Sequence, residues 1–241
     1  MDIGDVMSDS LRYPTSDWYK VAILGLLILI SFLIIPIFLV LGYTFRVIKA
    51  SLAGFEELPA FDDWGKMLVE GIKLFFVYLI YFLPAIIIGI VSFVSFWSSI
   101  MSMAYITPVN GTVSPNMLFS ILGGTAIIGL IITGIYSLVI YPIMAVAIGN
   151  MAYYDGELSA AFRFGEILSL ISQIGWVDLI IWYIVVIIVG IAIGIISSII
   201  GIIPILGWII IIIIVYPYFY LFYARAIAWL FSSAFEEEYV P

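Results

Sequence analysis

Five long apolar runs, broken by few charges, leave this chain little choice of solvent. They cover residues 21–43, 74–97, 118–149, 174–200 and 208–228. Each is near or above the roughly 20 residues that a helix needs to cross a hydrocarbon core about 30 Å thick. Within that core every backbone N–H and C=O must be bonded inside its own segment, so runs of this length fold as helices. The hydrophobic share is 65% and the charged share 10%. A soluble domain is nearer half and a quarter, and no soluble interior of this size hides such an excess. The sequence therefore predicts an all-α, polytopic transmembrane helical bundle of about five spans.

What the chain lacks excludes whole classes of chemistry. It has no cysteine, hence no disulfide, thiolate metal site or cysteine nucleophile. It has no histidine, which removes the commonest general base and zinc ligand. The net charge of −8 argues against nucleic acid as a partner and against a polybasic lipid anchor. Only carboxylates remain for acid–base work, and nothing in the sequence forms a nucleophile–base pair. No catalytic residue, cofactor or metal ligand is predicted, and the expectation is a non-enzymatic protein.

Residues 1–17 are polar and acidic, without the basic start of a signal peptide, and are expected to remain. Ile3, Val6, Met7, Ser10 and Leu11 recur at helical spacing, which predicts a short surface helix stopped by Pro14. Asp17 is placed to cap the next helix. Trp18, Tyr19 and Lys20 suit a membrane interface. The single transmembrane domain is expected over 18–235, with an acidic tail over 236–241. Pro36 lies inside the first run and should kink it. The alternative is a re-entrant hairpin with two arms meeting near Pro36, which would make six helical passes. No polar residues mark a hairpin tip there, so the kinked span is the leading expectation.

An acid-rich stretch, Gly54-Phe55-Glu56-Glu57-Leu58-Pro59-Ala60-Phe61-Asp62-Asp63-Trp64, follows Arg46 and Lys49. Asp62 or Asp63 can cap a helix starting near Trp64. Trp64, Met67, Leu68 and Gly71 then share one face, the pattern of a helix lying in the membrane plane. An echo appears one hundred residues later, where Glu157, Leu158, Ala160, Gly165 and Leu168 match Glu57, Leu58, Ala60, Gly65 and Leu68. Ala161, Phe164, Ile167, Leu168 and Ile171 form its apolar stripe, with Arg163 and Glu166 beside it. Two amphipathic interfacial helices and a weak parallel repeat (18–100 and 117–201, with an extra span over 208–230) are predicted. The loop over 98–117 is uncharged and carries Asn110-Gly111-Thr112, so Asn110 is a candidate glycosylation acceptor. Glycines in the third run predict a central helix there, and Gly190 and Gly194 read as a helix-contact motif.

The basic residues gather after the first, third and fifth runs. The positive-inside rule then puts the amphipathic segments and the C-terminus in the cytoplasm. An odd span count puts the N-terminus outside, and a hairpin would return it inside. Charges at the edges of spans are the default functional suspects. Here these are Lys73, Asp178 and Arg225, read as interfacial anchors, with Lys73–Asp178 a candidate pair.

Gly42-Tyr43-Thr44-Phe45-Arg46, Glu57-Leu58-Pro59-Ala60-Phe61-Asp62-Asp63-Trp64, Gly71-Ile72-Lys73 and Tyr81-Phe82-Leu83-Pro84 carry a resemblance. So do Leu11-Arg12-Tyr13-Pro14 and Asp17-Trp18. With these motifs the chain resembles the archaeal and bacterial membrane family catalogued as domain of unknown function 4013. The resemblance implies no activity and no catalytic residues. The leading expectation is a scaffold or accessory subunit in the cell membrane. It would dock partners through Glu56, Glu57, Asp62, Asp63, Trp64, Arg163 and Glu166. Lipid, another membrane or cytoplasmic protein, or a second copy are the expected partners. The alternative is a small-solute or lipid transporter with its path between the two halves, which would need a polar seam; Tyr136, Ser137, Tyr141, Tyr216, Tyr218, Tyr220 and Tyr223 are its candidates.

Overall fold

The computed structural model describes residues 3–103 and 124–235. Its elements, in order, are α1 (Ile3–Arg12), a 3-10 turn (Tyr13–Ser16), α2 (Trp18–Leu29), a 3-10 turn (Ser31–Leu33) and α3 (Ile35–Leu52). Next come α4 (Trp64–Met103), α5 (Gly124–Tyr153), a 3-10 turn (Leu158–Phe162), α6 (Phe164–Ile174) and α7 (Trp176–Ile200). A last helical stretch joins α8 (Leu206–Ile210), a π-helical turn (Ile211–Val215) and α9 (Tyr216–Ser232). Among the described residues five helices are long and apolar enough to cross a membrane: Ile35–Leu52, Trp64–Met101, Ala126–Tyr153, Trp176–Ile200 and Leu206–Phe235. The chain is an all-α, multi-pass membrane protein. Asn110 and the acidic tail lie outside the described residues.

Two compact units divide it: Met1–Tyr78 with Pro142–Pro241, and Leu79–Tyr141. The second is an antiparallel pair cut from α4 and α5. Gly129 closes the pair, since a Cβ there would lie 1.9 Å from the Ser92 hydroxyl. Tyr136 donates its hydroxyl to the Tyr81 carbonyl at 2.8 Å. The glycine-rich start of α5 is not central: Ile127, Ile128, Leu130, Ile131 and Ile135 are exposed, and Gly134 faces open space. The continuous buried stretch of α5 is at its other end, Met144–Ala152, in the first unit.

In the first unit the run around Pro36 is a hairpin, which corrects the expected kinked span. Ile34 takes φ 69° and reverses the chain. Pro36 then sits in the first turn of α3, where its missing N–H costs nothing. The tip needs no polar side chains because its own backbone closes the turn. Leu33 N–H donates to Ile30, Ile34 N–H to Ser31 and Ile37 N–H to Ile34. The Gly201 turn does the same, with Ile205 at φ 63°. Phe32, Leu33, Ile202 and Ile205 are therefore exposed apolar tips.

Helix α4 runs back along α3 in close backbone contact. A Cβ on Gly42 would meet the Met67 carbonyl oxygen at 1.9 Å, and one on Gly71 the Phe38 carbonyl oxygen at 1.7 Å. Met67 is fully buried there. The face expected to lie on the membrane plane thus packs on α3. The helix runs without a break from Trp64 to Met103, so these residues form the start of α4 rather than a separate amphipathic helix. The second amphipathic segment is separate, as expected. Gly175 at φ 91° ends α6, whose Ile167, Leu170, Ile171 and Ile174 are buried. Of the Gly190/Gly194 motif only Gly190 meets a neighbour, Phe219 at 3.7 Å.

The hairpin also brings the N-terminus back. Asp17 caps α2 through the Tyr19 and Lys20 N–H groups, as expected. Lys20 then reaches the Leu58 carbonyl at 2.7 Å, and Tyr13 the Glu57 carbonyl at 3.0 Å. The start of the chain lies beside the 54–63 loop, not across the bundle from it. The chain has no native cysteine. Single cysteines replacing Thr15, Asp63 and Glu166 should all react with an impermeant maleimide from one side of a sealed vesicle. Reaction of Thr15→Cys from the other side would restore the single kinked span.

Candidate functional site

Three ionic hubs organise the first unit. The first is centred on Glu70 of α4, which is 4% exposed. Arg46 and Lys49, at i and i+3 on α3, share a face and reach down to it. Arg46 Nε lies 3.2 Å from one carboxylate oxygen and Lys49 Nζ 2.7 Å from the other. A carboxylate taken out of water needs such company, since desolvation alone costs several kcal/mol. Arg46 extends the hub to the loop, donating to the Asp62 carbonyl at 2.6 Å, the Asp62 carboxylate at 3.0 Å and the Asp63 carbonyl at 2.8 Å. Lys49 extends it to Asp155 at 2.9 Å, beyond the end of α5. That hydrogen bond, with the Lys49 charge behind it, holds the Asp155 carboxyl below the usual carboxylate range. Asp63 and Asp155 adopt φ 41° and 49°. Asp is among the few residues that tolerate this left-handed region.

The 54–63 loop is locked from several sides. Tyr43 donates to the Pro59 carbonyl at 3.0 Å and stacks on Phe61 at 3.8 Å. Leu58 is buried. Asp63 caps α4, accepting the Lys66 N–H at 3.4 Å, as the sequence predicts. Over the hub opens a pocket of about 390 Å³ walled by Arg46, Lys49, Lys66, Asp62, Asp63 and Glu70.

Arg225 on α9 forms the second hub and is 5% exposed. Its Nε and the Trp229 Nε1 both donate to one oxygen of Asp9, each at 2.7 Å. Another guanidinium nitrogen donates to the Phe55 carbonyl at 2.8 Å, and the group lies over the Tyr13 ring at 4.7 Å. Tyr218 donates to the Leu11 carbonyl at 2.5 Å. One cation thus ties α1, the 54–63 loop and α9 together. Burial raises the Asp9 carboxyl, but the Arg225 and Trp229 hydrogen bonds outweigh it and lower the carboxyl overall. With the folded value below the unfolded one, the clamp stabilises fully above the ordinary carboxylate range and is lost as pH falls through the folded value. Acid titration of thermal stability should therefore show a loss that Asp9→Asn removes. An unchanged acid limb in that variant would refute it.

The third hub is exposed. Arg163 pairs with Glu157 at 3.0 Å and Glu166 at 3.6 Å, and lies over the Tyr154 ring at 4.5 Å. Tyr154 donates to Glu166 at 2.7 Å. Surface pairs of this kind contribute about 0–1 kcal/mol.

The expected docking residues therefore divide. Asp62, Arg163 and Glu166 are engaged in internal pairs, while Glu56, Glu57, Asp63 and Trp64 stand exposed. The expected Lys73–Asp178 pair is not formed: Lys73 donates to the Gly156 carbonyl at 2.9 Å. Arg225 is a buried clamp rather than an interfacial anchor. Sequence reasoning missed Glu70, Asp9 and Asp155. The i, i+3 spacing of Arg46 and Lys49 was a usable signal, but which acid they meet depends on how α4 crosses α3.

A family model described as protein of unknown function (DUF4013) matches residues 24–202. No curated protein and no solved structure matches the chain.

Proposed function

The chain belongs to the DUF4013 family of proteins of unknown function, and for this member we propose a non-enzymatic role as a membrane scaffold or accessory subunit. Its docking edge is the 54–63 loop, with Glu56, Glu57, Asp63 and Trp64 offered to a partner on the cytoplasmic side. The Arg163 and Glu166 turn flanks it. The observation that carries this reading is the contrast between loop and core. The acidic side chains of the loop are exposed, yet its backbone is tied to α2, α3, α9 and the N-terminal turn. A loop held this firmly loses little entropy on binding, which is the condition for a good docking surface. The bundle contacts of the first unit are closed by backbone-to-backbone approach at Gly25, Gly42 and Gly71. Two candidate seam tyrosines, Tyr136 and Tyr218, give their hydroxyls to backbone carbonyls. Glycine-closed contacts of this kind favour a scaffold over a solute path.

Photocrosslinking residues placed at Glu56, Glu57 and Trp64 in the native membrane test this. Discrete protein adducts are expected from the loop and none from Ile188 on the exposed face of α7. Loop positions that behave like Ile188, together with solute flux through purified protein in liposomes, would replace the scaffold with a transporter.

A further inference from the structure

The pocket over the Glu70 hub carries charge of both signs that the hub does not consume. At its floor Arg46, Lys49 and Glu70 neutralise one another. At its rim Lys66 and Asp63 stand exposed, and neither makes an ion pair within 4.0 Å among the described residues. Asp63 keeps its carboxylate at the rim from a left-handed backbone, a conformation costing on the order of 1 kcal/mol. The walls hold three cations and three carboxylates. A simple anion would be repelled by Asp62, Asp63 and Glu70, and a simple cation by Arg46, Lys49 and Lys66. A neutral ligand with separated charges satisfies both sets.

Position in the fold supplies the class of ligand. Trp64 is half exposed beside the pocket, and an exposed tryptophan at the start of an apolar helix marks the headgroup level. The outward apolar face of α4 opens at Val69, within two turns of Trp64. The pocket volume is in the range of small-molecule sites. We propose that this pocket binds an ammonium–phosphate zwitterion, the headgroup of phosphatidylethanolamine, with Lys66 on the phosphate and Asp63 on the ammonium. A primary ammonium has N–H groups for a carboxylate to accept. A trimethylammonium has none and needs a cage of aromatic faces, whereas Phe61 here is already stacked between Tyr43 and Trp64.

The site shares Asp63 with the docking edge, but its test needs no partner protein, so the two readings fail separately. The purified full chain is loaded with phosphatidylethanolamine, phosphatidylcholine or phosphatidylglycerol, and retained lipid is counted by native mass spectrometry. Phosphatidylethanolamine should be favoured by about tenfold, the effect of one charge-assisted hydrogen bond. Lys66→Gln and Asp63→Asn should each erase the preference, and Arg163→Gln, at the other exposed hub, should keep it. Lys66 lies outside the ion pairs of the hub, so its variant retains the fold, which a melting curve checks. Displacement of the lipid by soluble phosphoethanolamine would identify the headgroup alone as the ligand, and failure to displace it would identify the bilayer lipid. Equal retention of phosphatidylcholine, a preference for phosphatidylglycerol, or a preference surviving both rim variants would overturn the assignment.

Discussion

Replacing Gly71 with alanine should separate α3 from α4 and cost about 3 kcal/mol or more. The added carbon would lie 1.7 Å from the Phe38 carbonyl oxygen and 2.9 Å from the Gly42 nitrogen. Both are backbone atoms of a packed helix, so no side chain can rotate away. The Glu70 hub depends on that crossing, because Glu70 precedes Gly71 and meets Arg46 and Lys49 across the same contact. The variant should lose the pairing as well as the packing. Gly42→Ala addresses the same interface, so the double variant should cost less than the sum of the two. Gly134→Ala and Gly194→Ala, each with nothing within 4 Å, should be neutral or stabilise by about 0.5–1 kcal/mol through helix propensity. Thermal unfolding in detergent separates these groups. A Gly71→Ala protein that melts with the parent would mean that α3 and α4 do not meet here.

Arg225→Met should be the most damaging single loss of charge, at about 3 kcal/mol. It removes a nearly buried guanidinium and leaves the Phe55 carbonyl and the Asp9 carboxylate without it. Asp9→Asn should cost less, about 1 kcal/mol, since the Asp9 side chain is 41% exposed and water can replace part of its bonding. The two readouts differ. Melting reports the whole fold, whereas tryptic cutting after the exposed Arg12 reports release of α1 alone. Arg225→Met should speed that cut well beyond Asp9→Asn. Equal cutting rates in both variants and the parent would show that α1 is held by its apolar face, Val6 and Met7, and not by the clamp.

The helical membrane class, the caps at Asp17 and Asp63 and the separate amphipathic α6 were legible in the residues. All are local: a cap needs a carboxylate within three residues of a free N–H, and a stripe needs one helical period. The hairpin at Pro36 was misread because a polar tip was demanded, whereas the turn bonds its own backbone and exposes Phe32 and Leu33. The glycines of the third run misled as well. A small residue permits close approach, but nothing in the run says whether a neighbour comes. Gly129 meets Ser92, and Gly134 meets nothing.

Solvent and secondary structure are thus written in the order of residues, because length, apolarity and capping act over a few turns of chain. Which acid meets which cation is not. Asp9 and Arg225 are 216 residues apart, and Lys49 and Asp155 are 106 apart. With three cations in the interior hub and its rim, and several acids within reach, any pairing satisfies the sequence. The crossing of α3 and α4 at Gly42 and Gly71, and the return of the first hairpin, bring one set within hydrogen-bond distance and leave the Asp63–Lys66 rim open.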